Sequence, residues 1–254
     1  LTAGLTSRQV YLLQALRGHI FQLKPATSIS FITNTLLTFP ECCGALVRCF
    51  DARFNPEKDK QRSERIDEAE KSFSVAIDQV SSLPQDELLR FLHSLILETV
   101  RTNFYLGREY LSFKVVSRNL AGIPEPKPYR EIFVFSTEVE GVHLRGGRIA
   151  RGGLRWSDRP DDFRTEILGL VKTQITKNAL IVPTGSKGGF VLKNPPRDGS
   201  RMKDHVESQY KTFIKGLLDL TDNIVQGKTV PPGGLVIHDE PDPYLVVAAD
   251  KGTA

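Results

Sequence analysis

Residues 161–192 read D-D-F-R-T-E-I-L-G-L-V-K-T-Q-I-T-K-N-A-L-I-V-P-T-G-S-K-G-G-F-V-L. Phe163, Ile167, Leu170, Val171 and Ile175 recur at helical spacing, so Asp161 to Lys177 reads as a helix with one apolar stripe. Pro160 precedes it, two acids occupy its first turn, and cations close its last turn, as the helix dipole favours. Ala179 to Val182 then reads as a short buried strand. Gly188 to Leu192 reads as another, reached through a Gly-Ser-Lys-Gly-Gly turn. Helices alternating with apolar strands predict an α/β layer with a mixed, mostly parallel sheet flanked by helices.

The pattern continues downstream. Lys203 to Leu220 reads as a helix, and Leu235 to His238 and Tyr244 to Ala249 as apolar strands. Upstream, Glu131 to Glu138 is a strand by its aromatic and β-branched content, behind a stiff connector with Pro124, Pro126 and Pro128. The first 110 residues read helical instead. Val10, Leu13, Leu16 and Ile20 keep helical spacing, as do Leu88, Leu89, Leu92, Leu95 and Ile96 behind a start near Ser82 and Pro84. Ser28 to Val47 is a third helical stretch, interrupted at Pro40. Residues 51–71 hold seven acids and six bases and predict a solvated loop entering an exposed helix. The expected organisation is a helical segment over 1–110 and a substrate-binding, catalytic α/β domain over 111–254.

Apolar residues at 40% and charged residues at 25% of 254 exclude disordered, collagen-like and disulfide-scaffold classes. Net charge is 34 − 30 = +4, but residues 141–200 hold eleven bases and five acids, 11 − 5 = +6, leaving −2 elsewhere. An anionic ligand near that window is implied. Cys42, Cys43 and Cys49 form no C-x-x-C pair and predict buried, reduced thiols, hence a cytoplasmic setting. No metal site is expected: His238, Asp239, Glu240 and Asp242 match no standard spacing and read as a solvated turn. The uncharged run 25–40 is too short and polar to span a bilayer, so no membrane role is expected. The chain starts at Leu1 with no signal peptide, which predicts a piece of something longer.

Three cations carry the chemistry: Arg151 in A-R-G-G-L-R-W, Lys177 in I-T-K-N-A-L, and Lys187 in G-S-K-G-G-F. Gly-Gly pairs beside Arg151 and Lys187, Gly152 among them, let backbone approach a ligand closely. Cations converging in one cleft suit a small dicarboxylate and depress one another's pKa, bringing a lysine toward general acid–base use. Each also has an ordinary reading: Lys177 as a helix-end cation, Arg151 as one of a solvated arginine series, and Lys187 as a turn decoration.

R-G-G-L-R-W-S-D-R (151–159), T-K-N-A-L-I-V-P-T-G-S-K-G-G-F (176–190) and D-P-Y-L-V-V-A-A-D-K-G-T-A (242–254) closely resemble the large, NAD-specific glutamate dehydrogenases. R-N-L-A-G-I-P-E-P-K-P-Y-R-E-I-F-V (118–134) resembles the same class, and S-F-I-T-N-T-L-L-T-F-P (30–40) does so more loosely. The resemblance implies catalytic roles for Lys187, which polarises the carbonyl and assists water attack, and Asp250, which exchanges protons with the departing nitrogen. It implies that Gln174 and Lys177, three residues apart on one helix face, hold the substrate α-carboxylate. Arg151, with Gly152 beside it, falls where the smaller hexameric enzymes place a lysine for the distal carboxylate; arginine binds a carboxylate bidentately but does not deprotonate.

The implied reaction is oxidative deamination of L-glutamate to 2-oxoglutarate and ammonia, with NAD as hydride acceptor and a homo-oligomeric parent. No G-x-G-x-x-G occurs, and in the resembled class the NAD domain follows the closing motif, so the cofactor is expected to be held elsewhere and this piece alone to be inactive. Two readings compete. A dehydrogenase of another amino acid would need an uncharged group facing the substrate side chain, against Arg151. A polyanion-binding module would use Arg145 to Arg159 as a basic strip and show steep salt dependence.

Overall fold

A computed structural model describes residues 4–58, 60–177, 184–196 and 199–250, the side chains of 58 and 175–177 excepted. Five helices come first: α1 (Ser7–Leu23), α2 (Ile29–Thr38), α3 (Pro40–Phe54), α4 (Arg62–Ile77) and α5 (Leu83–Glu98). Thr6 and Gln9 form a reciprocal capping box at the start of α1, and the Ser28 hydroxyl accepts from Phe31 N at α2. Pro40 divides the predicted stretch into two helices by serving as the first residue of α3, where its missing N–H costs nothing.

The chain then builds β1 (Thr99–Thr102), β2 (Leu111–Val115), β3 (Arg130–Phe135), β4 (Val139–Arg145), β5 (Ala150–Trp156), α6 (Phe163–Lys177), β6 (Thr184–Leu192), α7 (Met202–Leu218), a small hairpin of β7 (Asn223–Val225) and β8 (Lys228–Val230), and β9 (Val246–Ala249). The main sheet runs β1-β2-β3-β4-β6-β5-β9. Its α/β class and leading helices match the expectation; its strand directions do not. Four of its six pairings are antiparallel, and only β5–β6 and β5–β9 are parallel. The difference comes from a meander, β1 to β4, whose strands are buried on both faces and so lack a polar alternation to announce them.

Further corrections concern local structure. The strand predicted over 131–138 ends at Phe135, where Ser136 turns the chain into β4 through Oγ contacts to Glu138 N and Val139 N. Lys187 lies within β6, not in a turn. Leu235–His238 forms no strand: His238 N donates to Val100 O, and the next residue, Asp239, is drawn to Arg101. The predicted strand over 179–182 lies outside the described residues. The 238–242 segment is no solvated turn, because Asp239 pairs with buried Lys114 at 2.7 Å and Asp242 pairs with Lys114 at 2.8 Å and with Arg145. That acid set answers three buried cations, Arg101, Lys114 and Arg145, which would otherwise be stranded in the core.

The sheet lies between two layers. Ile132, Val134, Leu154 and Phe190 face α7 and its Phe213 and Leu217. Phe113, Phe133 and Phe135 join the front helices and α6 in one larger core. The stripe read for α6 is buried at Phe163, Ile167 and Val171. At that interface Glu131 of β3 is fully buried, paired with Arg164 of α6 at 2.7 Å, His19 of α1 at 2.8 Å and the Ser117 hydroxyl at 3.0 Å. Gln22 of α1 accepts from Arg164 N and donates to Pro160 O, closing the entrance to α6. The three cysteines are free and buried, as expected. Among the described residues no helix is long and apolar enough to cross a membrane.

His143 of β4 is fully buried, with neither ring nitrogen hydrogen-bonded to a described residue. Burial, reinforced by Arg145, pushes its pKa down to about 3. A histidine depressed in the fold contributes stability above its unfolded value of about 6.5, and that contribution is lost as pH falls toward 3. Between about pH 7.5 and about pH 5.5, His143 is therefore expected to account for about 1.4 kcal/mol of lost stability. Urea unfolding of the chain and of His143→Leu at both pH values checks this; equal losses in the two would exclude it.

Candidate active site

Register brings the distant motifs together. β5 and β6 pair in parallel with Arg151 opposite Gly185 and Leu154 opposite Gly188, and β9 adds Arg151 opposite Val246 and Leu154 opposite Ala249. Side chains alternate along a strand and paired residues share a face. One face of this end of the sheet therefore carries Arg151, Gly153 and Arg155 from β5, Gly185, Lys187 and Gly189 from β6, and Asp250 just beyond β9. α6 covers the same face: a Cβ on Gly185 would meet Gln174 at 2.3 Å, and one on Gly189 would meet Ile167 at 2.5 Å. The bare backbone at 185 and 189 is what lets the helix come down to the strand.

Within this cleft Lys187 Nζ lies 3.1 Å from Asp250 Oδ2, and both side chains are part-exposed, at 21% and 25%. A Cβ on Gly153 would strike the Asp250 carboxyl at 2.8 Å, and Asp250 N donates to Leu154 O, so backbone alone seats the carboxylate over β5. Gln174 Oε1 is buried with no hydrogen-bond partner among the described residues. An orphaned amide group at such a place is open to a ligand. Arg151 is exposed and has no ion pair among the described residues. Lys177 closes α6, and its side chain lies outside the described residues. Gly152 points the other way: the Cβ it lacks would sit 1.6 Å from Ser186 O, so this glycine serves strand approach within the sheet.

Sequence reading missed two members. Arg155 Nη2 is 3.5 Å from Asp250 Oδ2 and Arg155 Nη1 is 3.6 Å from Glu166, which accepts from the Ser157 hydroxyl at 2.6 Å. Arg155 stood out only as one of an arginine series, and its partners depend on a strand register that the motif does not encode. The series is solvated only in part. Arg148, Arg151 and Arg159 are exposed, but Arg145 is buried against Asp242, Arg155 faces Asp250, and Arg159 pairs with Asp162, which reduces the free cationic surface a polyanion module would need. No group of three metal-ligating side chains gathers here among the described residues.

The site thus combines an exposed cation at one end, a lysine–carboxylate pair in the middle, and an unsatisfied amide on the covering helix. Residues 72–254 match the family model described as bacterial NAD-glutamate dehydrogenase, catalytic domain, and residues 1–56 match glutamate dehydrogenase, helical motif 3. The NAD-specific glutamate dehydrogenase of Halomonas elongata is 49% identical over 99% of this chain, and that of Pseudomonas aeruginosa 47% over 100%. The protein of the same name from Mycobacterium tuberculosis is 46% identical over 99%. The chain spans only 16–17% of the length of these curated relatives.

Proposed function

The chain belongs to the bacterial NAD-glutamate dehydrogenase family, whose catalytic-domain model covers residues 72–254, and from that premise we propose that it provides the glutamate-binding and catalytic face of an enzyme that deaminates L-glutamate oxidatively to 2-oxoglutarate and ammonia. The observation that carries the reading is the convergence of Lys187, Asp250 and Arg151 on one face of the sheet with Gln174 of the covering helix α6. Residues 1–110 act as the helical support, apart from β1, which belongs to the main sheet, and 111–254 as the substrate unit, in a cytoplasmic enzyme.

Removal of a hydride from Cα leaves an iminium, to which water adds; the carbinolamine then loses ammonia to give the 2-oxo acid. Arg151 holds the distal carboxylate, and Gln174 with Lys177 holds the α-carboxylate, so that Cα is presented in one orientation. Lys187 stabilises the charge that develops on oxygen as water adds and as the carbonyl forms. Asp250 takes a proton from the attacking water side and returns one to the departing nitrogen. The 3.1 Å separation of Lys187 and Asp250 supports giving both functions to one reacting carbon.

NAD supplies hydride acceptance when bound. The turn entering α6 offers no pyrophosphate cradle, since it closes on itself through Ser157, Arg159, Asp162 and Glu166. The sequence holds no G-x-G-x-x-G, and the proposed place of the cofactor is another part of the complete enzyme.

Calorimetric titration of the complete enzyme tests the site directly. 2-Oxoglutarate is expected to bind in preference to a 2-oxo monocarboxylate, and Arg151→Ala to weaken it by about 10–100-fold, the worth of a charged hydrogen-bonded pair. Unchanged affinity and selectivity in Arg151→Ala would remove Arg151 from the site.

A further inference from the structure

The front helices hold a second group of reactive side chains, at the opposite end of the molecule from the dicarboxylate face. Cys49 on α3, Glu70 on α4 and His93 on α5 place their donor atoms all within 4.8 Å of one another. His93 Nε2 is 3.1 Å from one Glu70 oxygen and 3.0 Å from the other. The imidazole plane is fixed by stacking on Phe73, 4.2 Å between centroids and 14° between planes. These helices adjoin β1, whereas the candidate active site sits on β5, β6 and β9 at the far side of the sheet.

The sulfur adds an independent observation. The buried thiols of Cys42 and Cys43 each donate to a carbonyl, Ala76 O at 3.4 Å and Leu36 O at 3.2 Å. Cys49, only 1% exposed, makes no such bond from its sulfur among the described residues and faces the carboxylate and imidazole instead. The neighbouring cations direct their hydrogen bonds elsewhere, Arg48 to the Ser72 hydroxyl and Arg53 to Leu97 O and Thr99 O, although both charges still act on Cys49.

The donor set selects an ion. A thiolate and a carboxylate together carry two negative charges, which one divalent cation neutralises. Sulfur and imidazole nitrogen favour zinc over magnesium or calcium, which take oxygen ligands. Tetrahedral zinc needs neighbouring N and O donors about 3.3 Å apart and sulfur about 3.5 Å from them. The nitrogen–oxygen edge is already at that spacing, and a small movement of Cys49 closes the rest. The Glu70 side chain is 35% exposed, giving an entry path and room for a water in the fourth position.

We propose that Cys49, Glu70 and His93 form a zinc site that fastens α4 to α3 and α5. α4 has reason to need it. It buries only Ala69, Phe73 and Ile77, and its first turn has no side-chain cap, since Gln61 enters in a left-handed conformation. The proposal is independent of the dehydrogenase reading, and its test uses no activity.

The chain, stripped of metal by a chelator, is titrated with Zn²⁺ against a chromophoric competitor, with Co²⁺ as a spectroscopic substitute. One ion per chain is expected, with a thiolate-to-cobalt charge-transfer band and a melting temperature raised by several degrees. Cys49→Ser and His93→Ala should each lose about 100-fold in affinity, and Cys49→Ser should lose the cobalt band. Glu70→Gln alters a partly exposed group, so it should keep the metal-free melting temperature while binding zinc at least about tenfold more weakly. No ion bound by the folded chain, a cobalt spectrum without the thiolate band, or undiminished affinity in a folded Glu70→Gln would each overturn the assignment.

Discussion

Lys187→Ala in the complete enzyme is expected to lower glutamate-dependent NAD reduction by about 1000-fold or more, mostly in kcat. Removing one preorganised stabiliser of developing charge costs about 100–1000-fold, and losing a proton-transfer partner beside it adds to that. The effect should appear in kcat because the proposed carboxylate anchors, Arg151 and the Gln174–Lys177 pair, are untouched. The variant should fold. Lys187 is part-exposed, and Asp250 keeps the Arg155 guanidinium at 3.5 Å when the lysine is removed, so no carboxylate is left alone in the core. Lys187→Arg should fail to restore turnover, because a guanidinium keeps the charge but is larger and does not exchange its proton. Steady-state kinetics with circular dichroism on the same samples decides it: wild-type turnover in Lys187→Ala would end the catalytic assignment, whatever the substrate.

The largest stability effect belongs to Arg164→Ala. Arg164 and Glu131 are both fully buried, and Arg164 donates to both Glu131 oxygens, at 2.9 and 2.7 Å. Truncating the arginine leaves a buried carboxylate with only His19 and Ser117, and breaking such a pair costs about 3–5 kcal/mol. The double variant Glu131→Leu with Arg164→Met should lose less than Arg164→Ala alone, since no charge remains uncompensated. The pH dependence has a definite sign. Burial pushes the Glu131 carboxyl up, but the Arg164 charge together with the hydrogen bonds from His19 and Arg164 outweighs it and holds that carboxyl well below the usual carboxylate range. A carboxylate depressed in the fold contributes above its unfolded pKa of about 4.3, and that contribution is lost as pH falls below it. The gap between the chain and Arg164→Ala should therefore be full near neutrality and narrow in acid. Urea unfolding across that range measures it, and a gap that widened in acid would mean that Glu131 is not the charge Arg164 answers.

What was legible in the sequence follows from what each signal physically encodes. The stripe Phe163, Ile167, Val171 announced α6 because that helix has one buried side and one wet side. β2 has no such contrast: its five residues, Ser112 and Lys114 included, are all buried. Lys114 reads as a surface residue until Asp239 and Asp242 arrive from more than a hundred residues away to neutralise it. Lys187 draws attention in the sequence through its glycine neighbours, yet those glycines serve strand pairing and the descent of α6, so the motif marks the position while suggesting a turn where the chain makes a strand. Arg155 and Glu166 went unnoticed as site members because each acquires its partner only from strand register and helix docking.

The glycine row beneath α6 has a consequence for evolvability. Gly153, Gly185 and Gly189 make part of the cleft floor out of peptide backbone, each with a neighbouring side chain already inside the space a methyl group would need. Saturation libraries at those three positions should favour glycine, because any side chain there has to displace Asp250, Gln174 or Ile167. New specificity has to be sought at the rim, around Arg151, and along the exposed margin of the covering helix. At this part of the cleft, crowding by neighbouring side chains limits substitution before any chemistry acts.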